Sequence, residues 1–168
     1  MDMVAVLNEI VLKAKAQLGV DEDRYSAYVH APVGGYWDMA FAAYCVGSAL
    51  EQNHRPFDDS TLLLTSDVMM QINHAQHTGT FVSALQVQLA SVRLLPGWIS
   101  LEWLPDSDRH YRVGIVESAN RASFSTIEGC STPGSIAQER GNTVAQHYRS
   151  ADDPAADGLP KYAFIRTL

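Results

Sequence analysis

The chain has few cysteines, with only Cys45 and Cys130 among its 168 residues. So small a number excludes the disulfide framework that holds small secreted domains together. A chain of this length also buries a core of its own and does not need such bridges. We therefore predict two thiols that are not joined to each other, as expected in a reducing compartment.

Positive charge is also sparse. Twelve lysines and arginines face nineteen acidic residues, which gives a net charge of −7 at pH 7, and the basic residues form no run. Binding to nucleic acid or to anionic membranes depends on clustered Lys and Arg, so both are disfavoured as partners. A cell-wall polymer remains a compatible partner, because sugar binding does not need a basic surface.

Long apolar runs are missing. No stretch reaches the roughly 20 apolar residues that span a bilayer. The first twenty residues are interrupted by charges, and they lack the basic start, apolar middle and small-residue cleavage site of a signal peptide. We therefore expect no membrane span and synthesis in the cytoplasm, followed either by incorporation into a particle or by release through lysis.

Signatures of metals and cofactors are absent as well. The chain has no glycine-rich phosphate loop, since Gly34 and Gly35 stand alone. His74 and His77 are three residues apart, but no nearby Cys, Asp or Glu cluster completes a ligand set. We predict no metal and no cofactor, and we interpret the two histidines as surface residues.

The pattern that is present divides the chain into a helical half, about residues 1–95, and a β half, about residues 96–168. Periodicity predicts helices over residues 3–18, 37–50 and 66–76, with Gly19 and Gly79 as stops and Ser66 as an N-cap. Residues 20–35 and 53–60 are predicted as loops, and residues 81–95 fit either a strand or a helix. Short β-branched and aromatic segments separated by turn residues predict strands over residues 99–103, 111–117, 122–128, 143–149 and 162–166.

Several motifs occur in the order found in one family. They are Tyr36-Trp37-Asp38-Met39-Ala40-Phe41, Pro96-Gly97-Trp98, Tyr111-Arg112-Val113-Gly114-Ile115-Val116-Glu117, Thr126-Ile127-Glu128-Gly129-Cys130, Asn142-Thr143-Val144-Ala145-Gln146-His147 and Tyr162-Ala163-Phe164-Ile165-Arg166. From about residue 25 to 168 the chain resembles the CHAP (cysteine, histidine-dependent amidohydrolase/peptidase) group of papain-like, NlpC-type peptidoglycan hydrolases. The resemblance implies a single α+β domain over residues 1–168, with N-terminal helices packed on a small antiparallel barrel-like sheet.

The departures from the family pattern fall on its catalytic positions. Asp38 stands at the position of the nucleophilic cysteine, and Arg112 stands at that of the histidine. Glu128 is kept at the orienting position, whereas Cys130 replaces an asparagine and Trp98 replaces an aspartate. A carboxylate supplies no thiolate, and arginine stays protonated, so neither replacement performs cysteine amidase chemistry.

The two replacements do have complementary charges. A thiolate–imidazolium pair would be replaced by a carboxylate–guanidinium pair of the same polarity, with Glu128 as a second partner. We hypothesise that Asp38, Arg112 and Glu128 form a salt-bridged cluster in a former active site. The simpler interpretation is that these are loop-end charges that never meet.

Displaced catalysis is the alternative. Cys130 with His110 and Glu128 would form a substitute trio, although the helix N-terminus would no longer activate the thiol. Cys45 lies two turns into the predicted helix, where a buried structural thiol is the common case. An Asp38–Glu128 acid pair for glycosidic bonds lacks a protonated acid, because Arg112 would hold both groups ionised.

The expected function is therefore that of a catalytically inactive CHAP-like pseudo-hydrolase, which serves as a binding or structural component. The family is common in bacteriophages and bacteria, so a virion or tail component is the implied setting. The partner would be another protein of an assembly, or peptidoglycan. The candidate binding residues are Trp37, Trp98 and Trp103. The rival is an active, endolysin-like cell-wall amidase or endopeptidase.

Overall fold

Helices and strands follow one another in a computed structural model that describes residues 2–20, 24–31, 37–104, 111–120, 123–131, 143–150 and 161–168, without the side chains of residues 24, 130 and 131. The helices are α1 (Met3–Lys15), α2 (Arg24–Tyr28), α3 (Asp38–Gln52), α4 (Val68–Thr78) and α5 (Ala84–Gln88), with a 3-10 turn at Phe57–Asp59. The strands are β1 (Phe81–Ser83), β2 (Ile99–Trp103), β3 (Tyr111–Ala119), β4 (Ser123–Ser131), β5 (Thr143–Ser150) and β6 (Tyr162–Ile165). Within the described residues, no helix combines the length and the apolar character needed to cross a membrane.

The helix boundaries follow from local capping groups. The Asp2 carboxylate accepts a hydrogen bond from the amide of Val4 and begins α1. Asp67, one residue after the predicted Ser66, caps α4, and Gly79 ends it with a φ of 73°. The prediction that residues 20–35 form a loop throughout is wrong, because α2 lies within them.

The strands form one antiparallel sheet in the order β1-β6-β2-β3-β4-β5. The α+β class is therefore confirmed, but the barrel-like sheet is not, because β1 and β5 are the two ends of an open sheet. The sheet is nevertheless strongly curved. Phe124 on β4 contacts the rings of Tyr162 and Phe164 on β6 at 5.1 and 5.3 Å between centroids, although β2 and β3 lie between these strands.

The register gives the sheet two different faces, because residues directly opposite each other share a face. The aliphatic face carries fully buried side chains: Ile99, Leu101, Val113, Ile115, Ile127 and Ile165. The concave face carries Phe124, Tyr162 and Phe164 together with buried polar groups: Ser100, Glu102, Arg112, Thr126, Glu128 and His147. Charged side chains thus lie inside the curve of the sheet.

Helix α3 is the central helix and packs against β3 and β4. It is apolar nearly all round, as its sequence predicts, and most of its residues are buried. Its N-terminal end lies very close to β4. A Cβ atom on Gly129 would come within 2.9 Å of Phe41 and 2.7 Å of the Trp37 ring, so only glycine fits at this point.

The ambiguous segment after residue 80 contains both a strand and a helix. Strand β1 pairs with β6, and Ser83 then caps α5 through a capping box with Gln86. The helical half of the chain therefore contributes one strand to the sheet.

Candidate functional site

Asp38 is the first residue of α3, and its side chain is only 1% exposed. One carboxylate oxygen accepts a hydrogen bond from the amide of Met39 at 3.0 Å, and the other accepts one from the amide of Val113 on β3 at 2.9 Å. The positive end of the helix dipole favours a negative charge at this position. The carboxylate thus joins the start of the central helix to the start of β3.

The amide of Val113 needs this acceptor because of the strand pairing. The Val116 amide donates to the carbonyl of Trp98 and therefore points towards β2. Successive amides along a strand point to opposite sides, so the amide of Val113, three residues before Val116, points towards β4. The described pairs between β3 and β4 begin at Gly114 and Glu128, one residue beyond Val113. Asp38 supplies the acceptor at the point where the two strands separate.

Arg112 precedes Val113 in β3, and its side chain lies on the concave face, where it is 3% exposed. Its guanidinium contacts the carboxylates of Glu102 at 3.4 Å and Glu128 at 3.6 Å. Arg149 on β5 contacts the same two carboxylates, Glu128 at 2.8 Å and Glu102 at 3.4 Å. Lys161 adds a contact to Glu102 at 3.2 Å. We call these five residues the charge cluster.

Both carboxylates and Arg112 of the charge cluster are buried, whereas the side chains of Arg149 and Lys161 are 11% and 30% exposed. Glu102 is 7% and Glu128 is 2% exposed. Burial would lower the pKa of the Arg149 guanidinium, but the carboxylates of Glu128 and Glu102 raise it above its usual value. The attraction between the two carboxylates and the three cations offsets part of the cost of removing these charges from water.

His147 and Thr126 border the charge cluster. The Thr126 hydroxyl donates to Glu128 at 2.5 Å, and His147 Nε2 lies 3.8 Å from the other oxygen of Glu128. Burial lowers the pKa of His147, and the nearby arginines add to this effect while Glu128 opposes it. Thr126 is 1% and His147 is 5% exposed, so a substrate does not reach this hydroxyl and imidazole.

The structure brings the predicted residues together in part. Arg112 and Glu128 form the expected ion pair. The described contacts of Asp38 are to backbone amides, one of them that of the residue after Arg112. Direct pairing of Asp38 with Arg112 stays a prediction.

Sequence reasoning missed Glu102, Arg149, Lys161 and His147. A period-two pattern places Arg112 and Gly114 on one face of β3, and Glu102 on the matching face of β2, but only the register brings them together.

The remaining candidate cysteines and histidines lie in different parts of the structure. His110 lies outside the described residues, and Cys130 lies on β4 with a side chain that is not described. Cys45 is a fully buried thiol of α3, as expected for a structural cysteine. His74 is half-buried and His77 exposed on α4. Among the described residues, no three His, Cys, Asp or Glu side chains form a metal-binding group.

The three tryptophans lie in different environments. Trp37 and Trp98 are each 6% exposed. The Trp37 ring stacks on Tyr25, and the guanidinium of Arg166 lies over the Trp98 ring. Both tryptophans are packed as core residues. Trp103 is half-buried and lines a pocket.

This aromatic pocket has a volume of about 310 Å³. Trp103 and Tyr111 oppose each other in the β2–β3 pairing, and their rings are 5.0 Å apart. They neighbour Glu102 and Arg112 in sequence, so their side chains point to the opposite face of the sheet from the charge cluster. Burial raises the pKa of the Tyr111 phenol. The other lining residues are Phe81, Ser83, Lys161, Tyr162 and Ala163.

Lys161 links the two sites, since it lines the pocket and also pairs with Glu102. Tyr111 is two residues from Val113, whose amide binds Asp38. The start of α3, the charge cluster and the aromatic pocket thus meet at the same ends of β2 and β3.

Comparison with protein-family models, with curated proteins and with solved structures finds no match for this chain. The candidate site is therefore interpreted from its own geometry.

Proposed function

We propose that this protein is a non-catalytic binding or structural component whose CHAP-like active site no longer supports hydrolysis. The observation that carries the proposal is the state of Asp38. Its carboxylate is buried and accepts hydrogen bonds from the backbone amides of Met39, at the start of α3, and Val113, on β3. A group held in this way stabilises the fold rather than attacking a carbonyl.

The environment of Arg112 supports the same proposal. A cysteine amidase needs a base that takes a proton from the nucleophile and returns it to the leaving group. Arg112 stays charged, and its guanidinium contacts two carboxylates inside the sheet. These side chains provide charge pairing in place of proton transfer.

The resemblance to the CHAP group supports the ancestry in this proposal. In that group a helix N-terminus carries the nucleophile, and adjacent strands carry its partners. Here Asp38 begins α3, which packs on the strands that carry Arg112 and Glu128. The implied setting is a phage particle or tail, or another cell-wall-associated assembly.

The aromatic pocket is the proposed contact surface. Trp103 and Tyr111 offer adjoining flat apolar rings, with Ser83 and Lys161 as polar groups at the same pocket. Such a combination suits the faces and hydroxyls of a sugar ring, as in the glycan of peptidoglycan. Of the three tryptophans predicted to bind a partner, Trp103 is therefore the one that we propose as a contact residue.

Two assays on purified peptidoglycan test the proposal. The first measures release of soluble fragments, and we expect none above buffer from the unmodified protein. Release that disappears in Cys130→Ser would contradict the proposal and favour the rival, a hydrolase with a displaced nucleophile. Asp38→Cys combined with Arg112→His tests ancestry separately.

The second assay measures co-sedimentation with peptidoglycan. We expect binding that weakens roughly tenfold in Trp103→Ala, because one aromatic stack is worth about 1.4 kcal/mol. Tyr148→Ala is the matched control, since Tyr148 is 79% exposed on β5 and does not line the pocket. Equal binding by both variants would exclude the pocket as the contact surface.

A further inference from the structure

A second pocket, with a volume of about 360 Å³, lies at the other end of β3. It is lined by Val87 of α5, by the segment that follows this helix, and by the last residues around β3: Ala90, Val92, Arg93, Leu94, Ala119 and Asn120. Its volume falls within the range of small-molecule sites. It belongs neither to the charge cluster nor to the aromatic pocket.

The backbone after α5 builds one wall of this pocket. Ala90 has a φ of 55°, a left-handed conformation that costs free energy for a residue with a Cβ atom. The chain reverses there, and the amide of Val92 then donates to the carbonyl of Gln86 at 3.1 Å. This turn brings Val92 and Arg93 back alongside Val87.

The chemistry of the lining is uneven. Most of the lining side chains are aliphatic, and the Asn120 side-chain oxygen accepts hydrogen bonds from the amide and hydroxyl of Ser123. Arg93 is exposed and makes no ion pair with any residue that the structure describes. In a chain with a net charge of −7, an arginine that has no such partner lies beside an aliphatic pocket.

We propose that this pocket binds a small aliphatic monocarboxylate. The guanidinium of Arg93 pairs with the carboxylate, since its N–H groups match the two oxygens. The aliphatic chain lies against Val87, Val92 and Leu94, where burying methylene groups supplies the remaining affinity.

A methyl NMR titration with octanoate, below its micelle concentration, tests this proposal on the full chain. For a ligand of about ten non-hydrogen atoms we expect a Kd of roughly 0.1–1 mM. The methyl signals of Val87, Val92 and Leu94 should shift together. Octan-1-ol, which has the same chain without the carboxylate, should bind at least about tenfold more weakly.

Arg93→Met should weaken octanoate binding by about ten- to hundredfold, because a charge-assisted hydrogen bond is lost. Arg55→Met is the matched control. It removes the same charge from a side chain that pairs with Asp59 and does not line the pocket. Circular dichroism confirms that both variants are folded.

Four results would overturn the proposal. The first is an octanoate titration that leaves the three methyl signals unmoved. The second is equal affinity for octanoate and octan-1-ol. The third is equal weakening of octanoate binding by the two arginine variants. The fourth is tighter binding of N-acetyl-leucine than of octanoate, which would indicate a peptide carboxyl terminus as the occupant.

Discussion

Replacing Glu128 by glutamine tests whether the charge cluster is buried inside the curved sheet. In the native protein the Glu128 carboxylate contacts Arg149 at 2.8 Å and Arg112 at 3.6 Å. Glutamine keeps the size of the side chain but removes its charge. Glu102 alone would then face three cations, the two arginines and Lys161.

The magnitude follows from the burial of this group. Removing one partner of a buried ion pair typically costs about 3–5 kcal/mol, because the other charge stays out of water and uncompensated. Glu128 is 2% exposed, so solvent does not replace the lost carboxylate. For a chain of this length, this loss corresponds to a decrease in Tm of roughly 6–20 °C.

Urea unfolding followed by circular dichroism measures the free energy of unfolding of Glu128→Gln and of a control, Glu51→Gln. Glu51 is exposed on α3, so its variant should stay within about 0.5 kcal/mol of the parent protein. A double-mutant cycle with Arg149→Gln should give a coupling energy of about 0.5–3 kcal/mol. Less than about 1 kcal/mol lost by Glu128→Gln would refute the buried cluster.

Three further changes test neighbouring features. Asp38→Ala removes the acceptor for the Val113 amide and should lower the free energy of unfolding, measured in urea, by about 1–3 kcal/mol. Asp38→Asn should lose less stability because it keeps an acceptor oxygen. Equal losses in the two variants would contradict the hydrogen bond. His147 has a lowered pKa in the folded state, so its contribution to stability is present above its unfolded pKa of about 6.5 and is lost as the pH falls. His147→Gln should therefore reduce the drop in Tm between pH 7 and pH 5, and an unchanged slope would show that this imidazole is not responsible. Gly129→Ala places a methyl group 2.7 Å from Trp37 and should cost about 1–3 kcal/mol in thermal unfolding, whereas no change would mean that the ring moves freely away.

Much of the fold can be predicted from the sequence, because its signals are local. The strand at Ile99–Trp103 has the predicted bounds, since apolar residues alternate there with Ser100 and Glu102. Helix α2 was missed because it has only five residues. Its stability comes from Tyr25, which packs on Trp37 and Phe41 from a distant part of the sequence.

The candidate site shows the same limit. The resemblance supplied Asp38, Arg112 and Glu128, whereas Glu102 and Arg149 were not expected. These two lie on β2 and β5, separated in the sheet by two strands, yet the curvature brings their side chains to 3.4 Å. No local pattern reports which strands are neighbours or how sharply the sheet bends.

The position of β6 has a consequence for how the chain folds. This strand lies between β1 and β2, so it joins residues 81–83 to residues 99–103 through contacts of long sequence separation. A nascent chain that has emerged only as far as β5 holds both neighbours with an open edge between them. Such an intermediate exposes strand edges that invite association with other chains. Ordered folding of the sheet is therefore expected only after residue 165 has left the ribosome, and folding should be slow for a domain of this size because the pairing is non-local.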